Sequence, residues 1–280
     1  MSDTKPSAIH LADYTPPPYT IDAIELSFDL GEDLTLVGSR LTVRRQGDAP
    51  DGAPLVLDGQ QLTLESLRLN GQPLDEHAYT VTPDSLIIHN PPAKFVLEIE
   101  TRIEPQNNTA LEGLYKSNGN FVTQCEAEGF RKITYALDRP DVLAIYSVEI
   151  RADKSLYPVL LSNGNLVEHE DLPDGRHRVQ WRDPHPKPSY LFALVAGDLA
   201  CVEDQFTTQS GRPVTLRIYV EHGKEDRCAF AMESLKKAMR WDEDVYGLEY
   251  DLDIFMIVAV SDFNMGAMEN KGLNVFNDKY

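Results

Sequence analysis

Two short stretches place carboxylates where they could do chemistry. The first is Gly266-Ala267-Met268-Glu269-Asn270. A glycine beside a short extended segment lets another backbone approach closely. An open strand edge can take an added strand through main-chain hydrogen bonds. Glu269 would then stand near the end of that added strand, where a carboxylate is the natural partner of a free α-ammonium. The second stretch is Gln124-Cys125-Glu126-Ala127-Glu128-Gly129-Phe130-Arg131, followed by Lys132. Residue types alone also allow simpler readings. Glu269 then reads as a solvated glutamate on a strand edge. Glu126 and Glu128 read as surface partners of Arg131 or Lys132, a kind of pair that contributes little.

The elements that must hold these stretches are mostly strands. Ile21–Phe28 alternates at period two, as does Leu62–Leu69, which ends in the hairpin signal Asn70-Gly71. Further strands are predicted at Leu86–His89, Phe95–Ile103, Ala144–Ala152, Arg176–Trp181 and Tyr190–Ala196. Residues 1–198 therefore read as an all-β domain, a sandwich or saddle of antiparallel sheets with one buried face. The character changes near Gly197-Asp198. Pro213–Glu221 reads as a strand and Asp226–Tyr246 as a helix closed by Gly247. The apolar face of that helix would be Ala231, Leu235, Ala238, Met239, Val245 and Tyr246. Asp242, Glu243 and Asp244 sit at the wrong end for the helix dipole and point to an external partner. Ile254–Val260 is unbroken apolar, the pattern of a strand buried on both faces, and Leu273–Phe276 is another strand. Residues 199–280 thus read as the beginning of an α/β unit, with apolar surface left exposed around Ile254–Val260.

Composition narrows the classes. The net charge is −19, from 26 basic and 45 acidic residues, which disfavours nucleic-acid binding. No apolar run approaches the ~20 residues of a membrane span. Met1–Tyr19 is polar and Pro-rich with no apolar stretch of the signal-peptide kind. The three cysteines, Cys125, Cys201 and Cys228, are far apart, which fits a reducing compartment and a cytoplasmic placement.

The string Gly-Ala-Met-Glu-Asn resembles the exopeptidase signature of the gluzincin zinc aminopeptidases of the aminopeptidase N type. The resemblance extends over nearly the whole chain from about Tyr14. It includes Asn108–Tyr115, Leu137–Leu143, Leu160–Asn165, Tyr190–Asp198 and Asp251–Ile254, which look like bacterial members. It implies a mainly β architecture, an all-β N-terminal domain followed by the start of a thermolysin-like catalytic domain. It implies single-residue release from peptide N-termini. Glu126 and Glu269 would anchor the substrate amine, Gly266, Ala267 and Met268 would cradle its backbone, and Gln124, Met265 and Tyr280 would line the pocket for its first side chain. Two carboxylates on one amine define where a peptide must begin. A methionine in the pocket tolerates many side chains, which implies a broad preference.

The family holds one zinc ion with a helical His-Glu-x-x-His and a more distant glutamate. The seven histidines here are His10, His77, His89, His169, His177, His185 and His222. Only His169 is followed by glutamate, Glu170, but proline stands at 173 where the second histidine would be, and no histidine has a partner four residues on. The recurrence of His169, His177 and His185 at intervals of eight reads as an accident of strand and loop. The expectation is therefore a fragment of a zinc enzyme, with no catalytic residue, no metal and negligible activity of its own, whose partners are peptides and neither nucleic acid nor membrane. Two other readings stay open. One is a non-catalytic interaction module on the same scaffold. The other is the epoxide-hydrolase branch, which usually carries glycine where Ala267 stands.

Overall fold

The computed structural model describes residues 10–47 and 49–279. Tyr280 lies outside the described residues. In chain order the strands are β1 (Tyr19–Leu30), β2 (Thr35–Arg45), β3 (Leu55–Asp58), β4 (Thr63–Leu69), β5 (Gln72–Pro73), β6 (Tyr79–Val81) and β7 (Ser85–Ile88). Next come β8 (Lys94–Ile103), β9 (Gly113–Ser117), β10 (Asn120–Gln124), β11 (Ala144–Asp153), β12 (Val159–Ser162), β13 (Asn165–Asp171) and β14 (Arg176–Lys187). Then follow β15 (Leu194–Gly197), β16 (Ala200–Thr207), β17 (Pro213–Val220), the helix α1 (Ala229–Tyr246), β18 (Ile254–Val260), β19 (Ala267–Met268) and β20 (Leu273–Asn277).

The alternating segments build an eight-stranded sheet in the order β13-β14-β11-β1-β2-β8-β4-β5. In β1 a bulge after Ile21 shifts the phase, so Tyr19 and Ile21 face the core, then Ile24, Leu26, Phe28 and Leu30. The Asn70-Gly71 signal closes the β4–β5 hairpin, with both residues at positive φ, 52° and 79°. The sheet is not purely antiparallel as expected. β1 and β11 run parallel, because the chain builds two further sheets before returning beside β1. Those are a three-stranded sheet, β3-β7-β6, and part of a four-stranded one, β12-β15-β10-β9. The segment expected as one strand over Tyr190–Ala196 is split. Ser189–Leu191 forms a 3-10 turn, and pairing begins at Leu194.

A last sheet has the order β16-β17-β18-β20-β19, with β17, β18 and β20 parallel. Helix α1 packs Met232, Leu235 and Met239 against Val214, Leu216, Ile218 and Val220. The face differs from the expected one, since Val245 and Tyr246 are exposed. Gly247 does close the helix in the left-handed conformation, φ 65°. The acidic end has an internal partner rather than an external one. Buried Glu243 accepts from the Gln209 N–H at 3.1 Å and pairs with Arg240 at 2.6 Å, while Asp244 accepts from Gln209 Nε2 at 3.1 Å. Strand β18 is buried fully on one face only. Ile254, Met256, Val258 and Val260 join the large core that begins at Tyr19. Phe255, Ile257 and Ala259 are half-covered, because α1 lies over β16 and β17 and leaves an apolar groove beside β18.

The last sheet is tied to the earlier strands by polar bonds as well as by shared core. Tyr115 Oη donates to the Asp262 carbonyl at 2.9 Å, and the Asp262 N–H donates to Ser117 Oγ at 3.0 Å. Glu221, just past β17, accepts from Asn118 Nδ2 at 2.8 Å and Ser261 Oγ at 2.9 Å, and pairs with Lys224 at 2.8 Å. These partners, Lys224 foremost, hold its carboxyl down at about 2 against an ordinary 4.5. A carboxylate whose folded-state value is depressed stabilises the fold above its unfolded value, and that stabilisation disappears as pH falls from about 4.5 towards 2. Glu221→Gln is expected to lower unfolding free energy at neutral pH by about 1–2 kcal/mol and to flatten the acid limb of the stability curve over that window. Urea titrations of both proteins at stepped pH measure this. Parallel acid limbs would show that Glu221 carries no such linkage.

Candidate functional site

The loop after β10 is a tight turn closed by the Gly129 N–H donating to the Cys125 carbonyl at 2.8 Å. Cys125 and Phe130 are buried at its base, and Glu126, Ala127 and Glu128 stand exposed at its tip. Gly129 is required by close approach, since a Cβ there would lie 2.4 Å from the Gln124 carbonyl oxygen and 2.9 Å from the Gly113 nitrogen. Behind the turn, the Arg131 N–H and Nε both donate to buried Asp138 at 3.1 Å, and Ser189 Oγ donates to its other oxygen at 2.5 Å. The Glu126–Ala127 peptide is cis. Cys125 is no candidate nucleophile, because burial pushes its thiol well above the ordinary value.

Of the surface pairing that residue types alone suggested, the part with Glu128 forms and the part with Glu126 does not. Arg131 pairs with Glu128 at 3.4 Å, and Lys132 pairs with Glu112 at 2.5 Å. Among the described residues the Glu126 carboxylate has no hydrogen-bond or ion-pair partner, and neither does that of Glu269. Most charged side chains around them are paired, so these two are set apart by their surroundings.

Residues 263–270 form the outer border of the last sheet. Asn277 Nδ2 donates to the carbonyls of Phe263 and Met265 at 3.1 and 3.4 Å, and the Asn277 N–H donates to the Gly266 carbonyl at 2.9 Å. β19 then pairs with β20 through Ala267 opposite Phe276 and Met268 opposite Val275. The Gly266 carbonyl points towards β20, so strand alternation turns the N–H and carbonyl of Ala267 to the open side. Ala267 and Glu269 are exposed, Met265 is 40% exposed, and the Met268 side chain is buried in the core. By the same alternation the N–H and carbonyl of Met268 turn to β20, so Ala267 and not Met268 presents polar backbone groups at the open edge.

One extended segment joins the two carboxylate carriers. Thr123 Oγ1 accepts from the Leu194 N–H at 2.8 Å, and continuing the β10–β15 register sets Gln124 across from Ala193. Phe192 stacks edge-on against Phe130 at 5.4 Å between ring centroids, on the loop that bears Glu126. Its carbonyl accepts from Asn270 Nδ2 at 3.2 Å, next to Glu269. Buried Asn163 completes the clamp, donating to the carbonyls of Leu191 at 3.0 Å and Lys271 at 2.8 Å and accepting from the Ala193 N–H at 2.8 Å. Among the described residues, buried Gln124 Oε1 and Asn270 Oδ1 have no hydrogen-bond partner, an arrangement that favours a donor brought from outside.

The sequence reading did not identify Phe192, Asn163 or Asn270 as positioning residues. Asn163 sits in Ser-Asn-Gly-Asn and reads as turn chemistry. Nothing local shows that its amide bridges two distant segments. Asn163→Ala strips three backbone groups of a partner, the Ala193 N–H fully buried and the two carbonyls partly so, and is expected to cost about 2–4 kcal/mol. Hydrogen exchange should quicken at residues 191–193 and 270–272 before it does in β1 or β2. Uniform acceleration across the chain, or none, would show that the clamp is not local to the site.

Comparison with known proteins agrees with this architecture. Residues 40–191 match the Peptidase M1 N-terminal domain, and residues 230–280 match the Peptidase family M1 domain. The chain is 55% identical over 277 residues to aminopeptidase N of Caulobacter vibrioides, covering 99% of this chain and 32% of that protein. It is likewise 55% identical to aminopeptidase N of Escherichia coli over 276 residues, covering 99% of this chain and 31% of that one. The crystal structure of Legionella pneumophila aminopeptidase A in complex with aspartic acid superposes with a TM-score of 0.90 at 42% identity, over 95% of this chain and 32% of that one. The chain spans about a third of the length of these relatives. With the N-terminal-domain match alone covering more than half of its residues, the chain belongs to the M1 peptidase family.

Proposed function

We propose that these residues are the N-terminal part of a zinc aminopeptidase that releases single residues from peptide N-termini. The observation that carries this is the pair of exposed carboxylates, Glu126 and Glu269, without a partner among the described residues, on segments held to one common stretch, Leu191–Leu194. Around a bound peptide, both would take hydrogen bonds from its terminal ammonium. The outward N–H and carbonyl of Ala267 would pair with its backbone as an added strand. Gln124 and Met265 would border its first side chain. The relative from Legionella was crystallised with a free amino acid, a ligand with the same α-ammonium. We place the boundary between the β domain and the start of the catalytic domain at Asp198, between β15 of one sheet and β16 of another.

The family's zinc motif, His-Glu-x-x-His, does not occur in these 280 residues. The residues present therefore do not form the family's catalytic zinc site. Zinc, the general base and hydrolysis itself would reside in another part of the protein. What this chain's residues would do is bind and count, since an amine held by two carboxylates fixes which peptide bond is presented.

The test is steady-state hydrolysis of an aminoacyl anilide by the full-length enzyme. Glu126→Gln and Glu269→Gln should each lower kcat/KM by about 10- to 100-fold, the loss of one charge-assisted hydrogen bond. An N-acetylated substrate should be refused by parent and variants alike. Unchanged kcat/KM in both variants would remove the carboxylates from the site. Chelator-sensitive hydrolysis by the 280-residue chain alone would overturn the assignment of the catalytic groups.

A further inference from the structure

His169, Asp171 and His177 meet on the β13–β14 hairpin. Asp171 lies directly opposite His177 in the ladder, and His169 is two residues along β13 from Asp171. The period of two in a strand therefore sets all three side chains on one face. An eight-residue spacing that reads as chance in the sequence becomes a contact because the turn after Asp171 folds His177 back beside it. His185, the third of that series, goes elsewhere and lies 3.4 Å from Asp251.

His177 is buried, and its Nε2 is 2.7 Å from the Tyr157 carbonyl oxygen. A carbonyl only accepts, so Nε2 carries the proton and the lone pair of the neutral ring is on Nδ1. Metal-binding imidazoles are oriented in this way, by a carbonyl on the nitrogen that does not ligate. His177 Nδ1 faces His169 Nε2 at 3.4 Å. That is long for an N–H···N bond, but it is about the separation of two nitrogens each about 2.0–2.1 Å from one tetrahedral zinc ion. Asp171 Oδ1 is 3.9 Å from the same His169 nitrogen, and the three ligand atoms lie within 4.8 Å of one another. The Asp171 carboxylate already attracts a cation, since Lys154 Nζ sits 2.6 and 2.7 Å from its two oxygens.

The geometry points to a divalent transition-metal site formed by His169 Nε2, His177 Nδ1 and Asp171, with solvent completing the coordination and Lys154 as the competing cation. Two imidazoles favour zinc, nickel or copper over magnesium or calcium. The site lies on a different sheet from Glu126 and Glu269, uses none of the family's catalytic zinc ligands, and would link edge strand β13 to the Lys154–Tyr157 turn. Its presence or absence is independent of the aminopeptidase assignment.

The experiment is calorimetric titration of zinc chloride into the metal-free 280-residue chain, paired with thermal unfolding at each zinc concentration. One ion per chain is expected, with a melting temperature that rises with zinc. His169→Ala, at a half-exposed position, should weaken binding by at least about tenfold and remove the thermal shift. Lys154→Met should tighten binding, and the double variant with His169→Ala should lose that gain. Absence of saturable binding at millimolar zinc would overturn the proposal. So would one-to-one binding that His169→Ala leaves unchanged, which would place the ion on other ligands.

Discussion

The arrangement of the site depends on Phe192, which belongs to both of its halves. Its ring is fully buried among Phe28, Phe130 and Tyr146, and its carbonyl receives the amide of Asn270. The aromatic contacts fix the base of the Glu126 loop through Phe130, and the hydrogen bond fixes the segment that carries Glu269. Leu191, Ala193 and Leu194 repeat the pattern with partners on Asn163, Ser162 and Thr123. A short stretch of chain whose side chains pack one way and whose backbone bonds go another can hold two loops in register. Loops so held need no internal rigidity of their own, which leaves their tips free to consist of exposed carboxylates and glycine.

Those tips stand out electrostatically. The chain carries 45 acidic and 26 basic residues, so unpaired carboxylates must exist somewhere, and surface ion pairs add little stability wherever they form. Around the site, however, the cations are taken. Arg131 is committed to Asp138, Asp58 and Glu128, Lys132 to Glu112, and Lys271 to Asp251. Each nearby base has a carboxylate other than Glu126 or Glu269. A cationic ligand arriving at the two free carboxylates therefore has no internal ion pair to displace there.

Much of this was legible in the sequence for identifiable reasons. Strands with one buried face announce themselves by alternation, and β1, β4, β8 and β11 do so clearly. Glu269 was read as standing on a strand edge, and β19 is the edge strand of its sheet. What stayed hidden was set by tertiary partners. The 3-10 turn at Ser189–Leu191 interrupts a run of strand-forming residues because Ser189 and Leu191 are drawn to Asp138 and Asn163. The acidic end of α1 looked misplaced against the helix dipole, but Glu243 meets the unpaired N–H of a hairpin loop 34 residues earlier. Likewise the parallel pairing of β1 with β11 has no local signature, and neither does the contact of His169 with His177 across a turn.

The all-apolar run of β18 shows how one sequence pattern can serve two different neighbours. A strand buried on both faces is usually the centre of a helix-covered parallel sheet. In β18 the residues Ile254, Met256, Val258 and Val260 enter the core that begins with Tyr19, so one cover is supplied by the β-sheets themselves. The opposite residues, Phe255, Ile257 and Ala259, face the same side as α1, and the helix shields β16 and β17 more than β18. The consequence for the site is direct. Because β18 and β20 share a core with β1 and β15, the sheet edge that carries Glu269 cannot move as a separate body from the loop that carries Glu126 without opening that core. Apolar packing thus restrains both segments, and the hydrogen bonds of Asn163 and Asn270 tie them to the Leu191–Ala193 stretch between.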